Sequence, residues 1–254
     1  MALNESQIHI NSFATNSFRN VADQDYIAAR VCYKNGLMLQ FAWMAQQAIE
    51  KYFKAILLYN QKNTKDLGHD LNKSLRRIES IENIKLDFTE ETLSFIDYIN
   101  DQGPNRYLEK QHFTRGLEIT SLDRTVWEIR RYCKVINYKL KLSNGEEKNC
   151  MEAELNQIHR WLYSDNQHKF ILVGGYLEKV LNNSKHKQRA SLVWANFYYS
   201  KRKRKFATIP RNSNMINPVH IRHPKHFEEM NKVIQFSKEV RDYFKKIQIT
   251  DKSR

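Results

Sequence analysis

The chain has 254 residues, 41% of them apolar, with only 7 Gly and 4 Pro, and it carries a formal net charge of +14. That supports one large domain or two small ones with real cores, built from long helices with few tight turns. The charge is uneven, +3 over residues 1–141 against +11 over 142–254, a skew that points first to a polyanion such as nucleic acid, with an anionic membrane surface or plain solubility as the other readings.

Asp23 to Asn35 reads as a first helix through Tyr26, Ile27, Ala29, Val31 and Cys32, ended by Gly36. Gly36 to Tyr59 reads as a central helix, antiparallel to the first. Its polar stripe is Gln47, Glu50, Lys51 and Lys54, while Leu39, Trp43, Met44, Ala48, Ile49, Tyr52, Phe53, Ile56 and Leu57 cover the rest of the circumference. A lone surface helix would not be so apolar all round. Asp70 is the natural N-cap of a third helix carrying Leu71, Leu75, Ile78 and Ile81, and Thr89 with Glu90 and Glu91 opens a fourth with Leu93, Ile96, Tyr98 and Ile99 inward. Gly103-Pro104 stops it. Residues 104–116 are either a short further helix or a structured loop. Ser121 to Leu140 reads as a long helix with Leu122, Val126, Ile129, Tyr132, Cys133 and Ile136 on its inner face.

Residues 142–149, LSNGEEKN, are the best candidate linker, because periodicity lapses and turn residues cluster there. This divides the chain into residues 1–141, a helical bundle, and 142–254, a basic and mainly helical C-terminal region. Residues 150–163 and 166–183 read as two helices, the second weakened by Gly174-Gly175. Residues 188–200 are open between helix and strand, 206–223 look irregular, and Pro224 to Ile247 closes the chain as an amphipathic helix through Phe227, Met230, Val233, Ile234, Val240 and Phe244.

Cys32, Cys133 and Cys150 are odd in number and lack CxxC spacing, so neither a disulfide framework nor a cysteine zinc site is expected and a reducing compartment fits. The first twenty residues hold no apolar signal core, and the apolar run from Phe170 to Leu177 is short and split by glycines. A cytoplasmic protein without membrane attachment is the expectation.

Gln46, Gln47, Ala48, Glu50, Lys51, Lys54, Ala55 and Leu57, followed by His69, Asp70 and Leu71, form the ordered pattern QQAxEKxxKAxL then HDL, with ADQDYIAAR ahead of it and an Arg-Tyr pair after the fourth helix. On these residues the stretch 22–140 resembles the HEPN domain family of small helical bundles. The resemblance implies an all-α, up-and-down bundle that usually dimerises, and in many members a metal-independent ribonuclease of toxin or antiviral-defence type. Other members are non-catalytic modules that bind a nucleotide or a partner protein, and an antitoxin is a further partner the family suggests.

In catalytic members an Arg, four to six residues and then a His lie near the start of the last major helix, and two such motifs meet across a dimer. Arg106, five residues and His112 match that spacing, so the resemblance implies that these two are catalytic. The chemistry is reasonable. RNA cleavage by its own 2′-hydroxyl needs a proton shuttle, which an imidazole supplies, and a forked cation for the developing phosphorane charge, which a guanidinium supplies. Tyr107 directly after Arg106 is reminiscent of the non-nuclease branch, and a straight helix would leave Arg106 and His112 on different sides, so an irregular turn or the dimer mate is required.

His69-Asp70 is expected to start a helix, and Glu50 and Lys54 to form a structural stripe. In the back half, Lys185, Lys187 and Arg189, then Lys201, Arg202, Lys203, Arg204 and Lys205, bracket Trp194, Phe197, Tyr198 and Tyr199. Cations hold phosphates and aromatic faces stack on unpaired bases, so these residues form a candidate RNA-binding surface, unless the aromatics are core and the basic run a solvated turn. His220, His223 and His226 repeat every third residue, but Pro224 breaks any common face and no carboxylate or cysteine partner stands near. No metal and no other cofactor is expected.

Overall fold

The computed structural model describes residues 4–82, 84–105, 107–164, 175–200, 202–211 and 213–252. Helices dominate, and the only strands among the described residues form two short antiparallel pairs. The bundle begins earlier than the sequence pattern suggests. Helix α1 (Glu5–Phe13) runs through a π-helical stretch (Ala14–Arg19) into α2 (Asn20–Lys34). Its start is a capping box in which the Asn4 side chain accepts from Gln7 N and the Gln7 side chain accepts from Asn4 N. The chain reverses at Gly36, whose φ of +73° suits a residue without Cβ, and Leu37 N donates back to Cys32 O at 2.9 Å.

Helix α3 (Met38–Tyr59) then runs antiparallel to α2. Cross-contacts fix that direction: Tyr33 on Phe41, Lys51 on Asp25, Tyr52 on Asp23 and Thr15 on Tyr59. Phe41, Ile49, Tyr52, Phe53, Ile56 and Leu57 are wholly buried, as a central helix requires, whereas Leu39, Trp43 and Met44 are half-buried. Asp70 caps α4 (Leu71–Glu79) by accepting from Lys73 N, and Thr89 caps α5 (Glu90–Gln102) by accepting from Thr92 N. Gly103 ends α5 against α3, where an added Cβ would lie 2.5 Å from Cβ of Gln46, so the two helices approach through a bare backbone. Residues 104–105 and 107–116 are loop and not helix, and they contain strand β1 (His112–Phe113).

Helix α6 (Glu118–Arg130) ends ten residues before the sequence pattern does. The aromatic and β-branched run from Tyr132 to Tyr138 has weak helix propensity, and the chain leaves α6 through tight turns that keep Tyr132, Cys133 and Ile136 buried. The presumed linker is a hairpin of β2 (Lys139–Lys141) and β3 (Glu147–Asn149), turning at Gly145.

Beyond the hairpin come α7 (Met151–Leu162), α8 (Tyr176–Asn182) and α9 (Arg189–Val193), and the stretch left open at 188–200 is therefore a short helix followed by irregular chain. The expected helix at 166–183 lies partly outside the described residues. Leu155, Ile158, Leu177, Val180, Leu192 and Tyr199 join the same core as α2 and α3, so hydrophobic packing continues across residue 142. Strand β4 (Met215–Ile216), α10 (Val219–Arg222), α11 (Phe227–Val233) and α12 (Lys238–Lys252) complete the chain. The single closing helix is thus two helices, broken where Phe236 turns in to pack with Phe227, Val240 and Phe244. Val233 and Ile234, expected inward, are exposed there, and Leu93 on α5 is likewise exposed while Phe95 takes the inner position. No helix among the described residues is long and apolar enough to cross a membrane.

Candidate functional site: the motif loop and its supports

The residues of the QQAxEKxxKAxL pattern act as a clamp. Gln46, Glu50 and Lys54 succeed one another at four-residue steps, which sets them on one face of α3. Gln46 Nε2 donates to His69 O at 3.0 Å and Lys54 Nζ to Gly68 O at 3.2 Å, while Glu50 holds Lys54 Nζ at 2.6 Å and His69 Nδ1 at 2.8 Å. Glu50 is buried, and together these bonds pin the turn from which Asp70 starts α4. Their role is structural, in keeping with the sequence reading of the stripe and of His69-Asp70.

A second set of charges joins the bundle to the back half. Arg130 on α6 donates Nε to Asp23 Oδ1 at 2.7 Å and Nη1 to Glu178 Oε1 at 2.7 Å, all three residues being buried, and Tyr52 OH adds a bond to Asp23 at 2.7 Å. Gly175 passes so close to this fork that a Cβ there would strike both Glu178 and Arg130. Arg30 pairs with Asp123 and also donates to the carbonyls of Ser191 and Trp194.

Against these supports lies the loop that follows α5. Its ends are drawn together by Asn105, whose Nδ2 donates to Lys110 O at 2.8 Å and whose Oδ1 accepts from Lys110 N at 3.0 Å. Leu108 takes a left-handed φ of +53° within it. The spacer between the two motif positions is therefore an irregular turn and not a straight helix. Asn105, unremarked in the sequence, shapes it, and its place directly before the Arg-Tyr pair was the available signal. Arg106 lies outside the described residues.

His112 ends the spacer on β1. It is 1% exposed, and neither ring nitrogen has a hydrogen-bond partner among the described residues. Burial pushes its pKa below the usual histidine value, so the ring is neutral at neutral pH. An open cleft of about 820 Å³ adjoins the loop, lined by Asp97, Asp101, Tyr107, Glu109, Lys110 and Glu239 among others, with Tyr107 largely exposed.

A buried imidazole that must stay neutral is a stability liability in acid. The unfolded chain takes up a proton near pH 6.5 and the native state resists it, so stability is full above that pH and falls as pH drops toward the depressed native value. Urea midpoints measured from pH 7.5 to 5.5 are expected to fall less steeply in His112→Leu than in the parent chain, and equal slopes would contradict the burial.

The polyanion candidates sit elsewhere. Lys185, Lys187 and Arg202 to Lys205 are exposed, Arg189 is half-buried with Nε on Leu181 O at 3.0 Å, and Lys201 lies outside the described residues. Arg204 donates to Val193 O at 3.1 Å, which brings the basic run against the end of α9, the helix that Arg189 begins. The aromatics between the two runs are mostly packing groups. Tyr199 is buried against Tyr26, Tyr198 accepts from Arg124 and lies 5.4 Å from Trp127, and Trp194 faces Lys34. Tyr199 therefore has no open ring face for base stacking, and Tyr198 is half-buried. The three histidines also separate: His220 is buried among Phe227, Phe236 and Phe244 with Nε2 2.9 Å from Glu109 O, while His223 and His226 are exposed.

The family model for the HEPN domain matches residues 16–135, from within the π-helical stretch to just beyond α6. Residues 16–135 are a HEPN domain. No curated protein and no solved structure matches the chain. The HEPN family includes ribonucleases and nucleotide-binding modules, and its members commonly bind RNA or form dimers. Within this HEPN domain, α2 to α6 form the bundle, and the Arg-x5-His sequence falls between α5 and α6.

Proposed function

We propose that this protein binds RNA through its basic back half and cleaves it, without a metal, through Arg106 and His112. His112 carries the reading: at the histidine position of the family's motif stands a neutral imidazole with both nitrogens uncommitted among the described residues. A neutral ring accepts the proton of a 2′-hydroxyl as that oxygen attacks the adjacent phosphorus. The P–O5′ bond then breaks, and the 5′-oxygen takes a proton from an imidazolium, either the same ring or its mate in a homodimer. The Arg106 guanidinium supports the charge that builds on the non-bridging oxygens. Lys185, Lys187, Arg189 and Lys201 to Lys205 hold the backbone phosphates. The carboxylates of the cleft beside Tyr107 repel phosphates, which makes the basic run the better approach. A toxin or defence role, a protein antitoxin and a cytoplasmic setting belong to the same proposal.

A second reading has its own support. His112 is sealed from solvent, which suits a non-catalytic HEPN module that recognises a nucleotide or a partner protein. Mixed RNA incubated with the protein in EDTA separates the two. The ribonuclease reading expects cleavage that His112→Ala lowers by about 10²–10⁴-fold. RNA that stays intact yet is retained in a salt-sensitive complex would replace it with the binding reading.

A further inference from the structure

The back third of the chain closes directly over the motif loop. β4 pairs antiparallel with β1 in the register His112↔Ile216 and Phe113↔Met215. The contact extends one residue each way: Thr114 N donates to Asn214 O at 2.9 Å and Asn214 N to Thr114 Oγ1 at 2.8 Å, while Gln111 Nε2 donates to Asn217 Oδ1 at 2.6 Å. Farther on, His220 bonds Glu109 O, Ser237 N donates to Glu109 Oε2 at 2.9 Å and Lys110 pairs with Glu239 at 2.5 Å.

These contacts are unequal in strength. The later ones are anchored by the cluster of Phe227, Phe236, Val240 and Phe244. The strand itself rests on a two-residue ladder, Met215 is 61% exposed and Asn214 is exposed. A ladder so short with little apolar cover is marginal by itself and belongs to the low-stability end of a structure. The imidazole beside it is also costly to bury, since neither of its nitrogens has a hydrogen-bond partner among the described residues, where an apolar side chain would leave nothing unsatisfied. A cheap cover over an expensive group describes a closable site better than a structural core position does.

We propose that Asn214–Asn217 is a strap that shuts His112 away, and that lifting the strap while the phenylalanine cluster stays in place admits substrate to the ring. The admission of RNA rests on the ribonuclease reading above; the shutting of His112 does not. The strap makes the back half a regulator of the HEPN loop as well as a binding surface.

Diethyl pyrocarbonate, which acylates accessible neutral imidazoles, reads the strap without reference to catalysis, with exposed His223 and His226 as internal standards mapped by mass spectrometry. In the parent chain His112 is expected to react at least about tenfold more slowly than the standards, and in Ile216→Pro, which strips an N–H from the strap, to approach their rate. Because that variant risks misfolding, its melting curve is taken alongside. A second pair, Gln111→Cys with Asn217→Cys, joins positions whose side chains already touch; its oxidised form is expected to protect His112 fully and its reduced form to match the parent. Protection that persists in a folded Ile216→Pro, or an oxidised pair that still reacts, would overturn the strap. If His112 becomes reactive and RNA cleavage rises with it, both proposals stand. If His112 becomes reactive and RNA stays intact, the strap stands and the ribonuclease reading falls.

Discussion

Replacing Arg130 with alanine is expected to destabilise the protein by about 3–5 kcal/mol, enough to unfold many domains of this size at physiological temperature. Arg130 answers both Asp23 and Glu178, and all three are buried. Without it two carboxylates face each other in the core, short of a counter-charge. Arg130→Lys keeps the charge but loses the fork that reaches both partners, and it should fall between the parent and the alanine variant. Urea denaturation followed by far-ultraviolet circular dichroism checks both. A loss under about 1 kcal/mol for Arg130→Ala would mean that the buried network contributes little.

Changing Arg202, Lys203, Arg204 and Lys205 together to alanine is expected to weaken single-stranded RNA binding by roughly 10²–10³-fold near 0.1 M salt. The slope of log affinity against log salt should become shallower by about 3, since each phosphate contact on a single strand contributes about 0.7. All four side chains are exposed, and the bond from Arg204 to Val193 O holds it only at the rim of α9, so folding should be little affected. Fluorescence anisotropy with a labelled oligoribonucleotide across a salt series measures affinity and slope together. An unchanged slope would move the binding surface elsewhere.

Much of the bundle was legible because its signals were local. Gly36, Asp70 and Thr89 punctuate helices by chemistry that acts within a few residues, and the structure uses each at that place. The all-round apolar pattern of α3 likewise announced a central helix. Errors arose where tertiary demands override periodicity. Tyr132, Cys133 and Ile136 are buried at helical spacing although the helix has ended at Arg130, so the pattern reported burial correctly and conformation wrongly. Phe236 breaks the closing helix in two to reach Phe227 and Phe244. α1 went unread because Ile8, Ile10 and Phe13 are exposed and give it no apolar stripe, though the Asn4 and Gln7 capping box was visible.

The candidate site was legible in its residue types, and the strap proposed over it was not. Arg106 and His112 stood out by spacing, and the basic run by charge. The pairing of His112 with Ile216 joins positions about a hundred residues apart, and a two-residue strand carries no periodicity to reveal such a contact.

The most direct measurement of the central claim is the chemistry left on the RNA ends. Cleavage by the neighbouring 2′-hydroxyl, with the His112 imidazole moving the protons, predicts 2′,3′-cyclic phosphate and 5′-hydroxyl termini in EDTA, seen by mass spectrometry for the parent chain and for Ile216→Pro and lost in His112→Ala. Termini bearing 5′-phosphate, or the same products from His112→Ala, would contradict it.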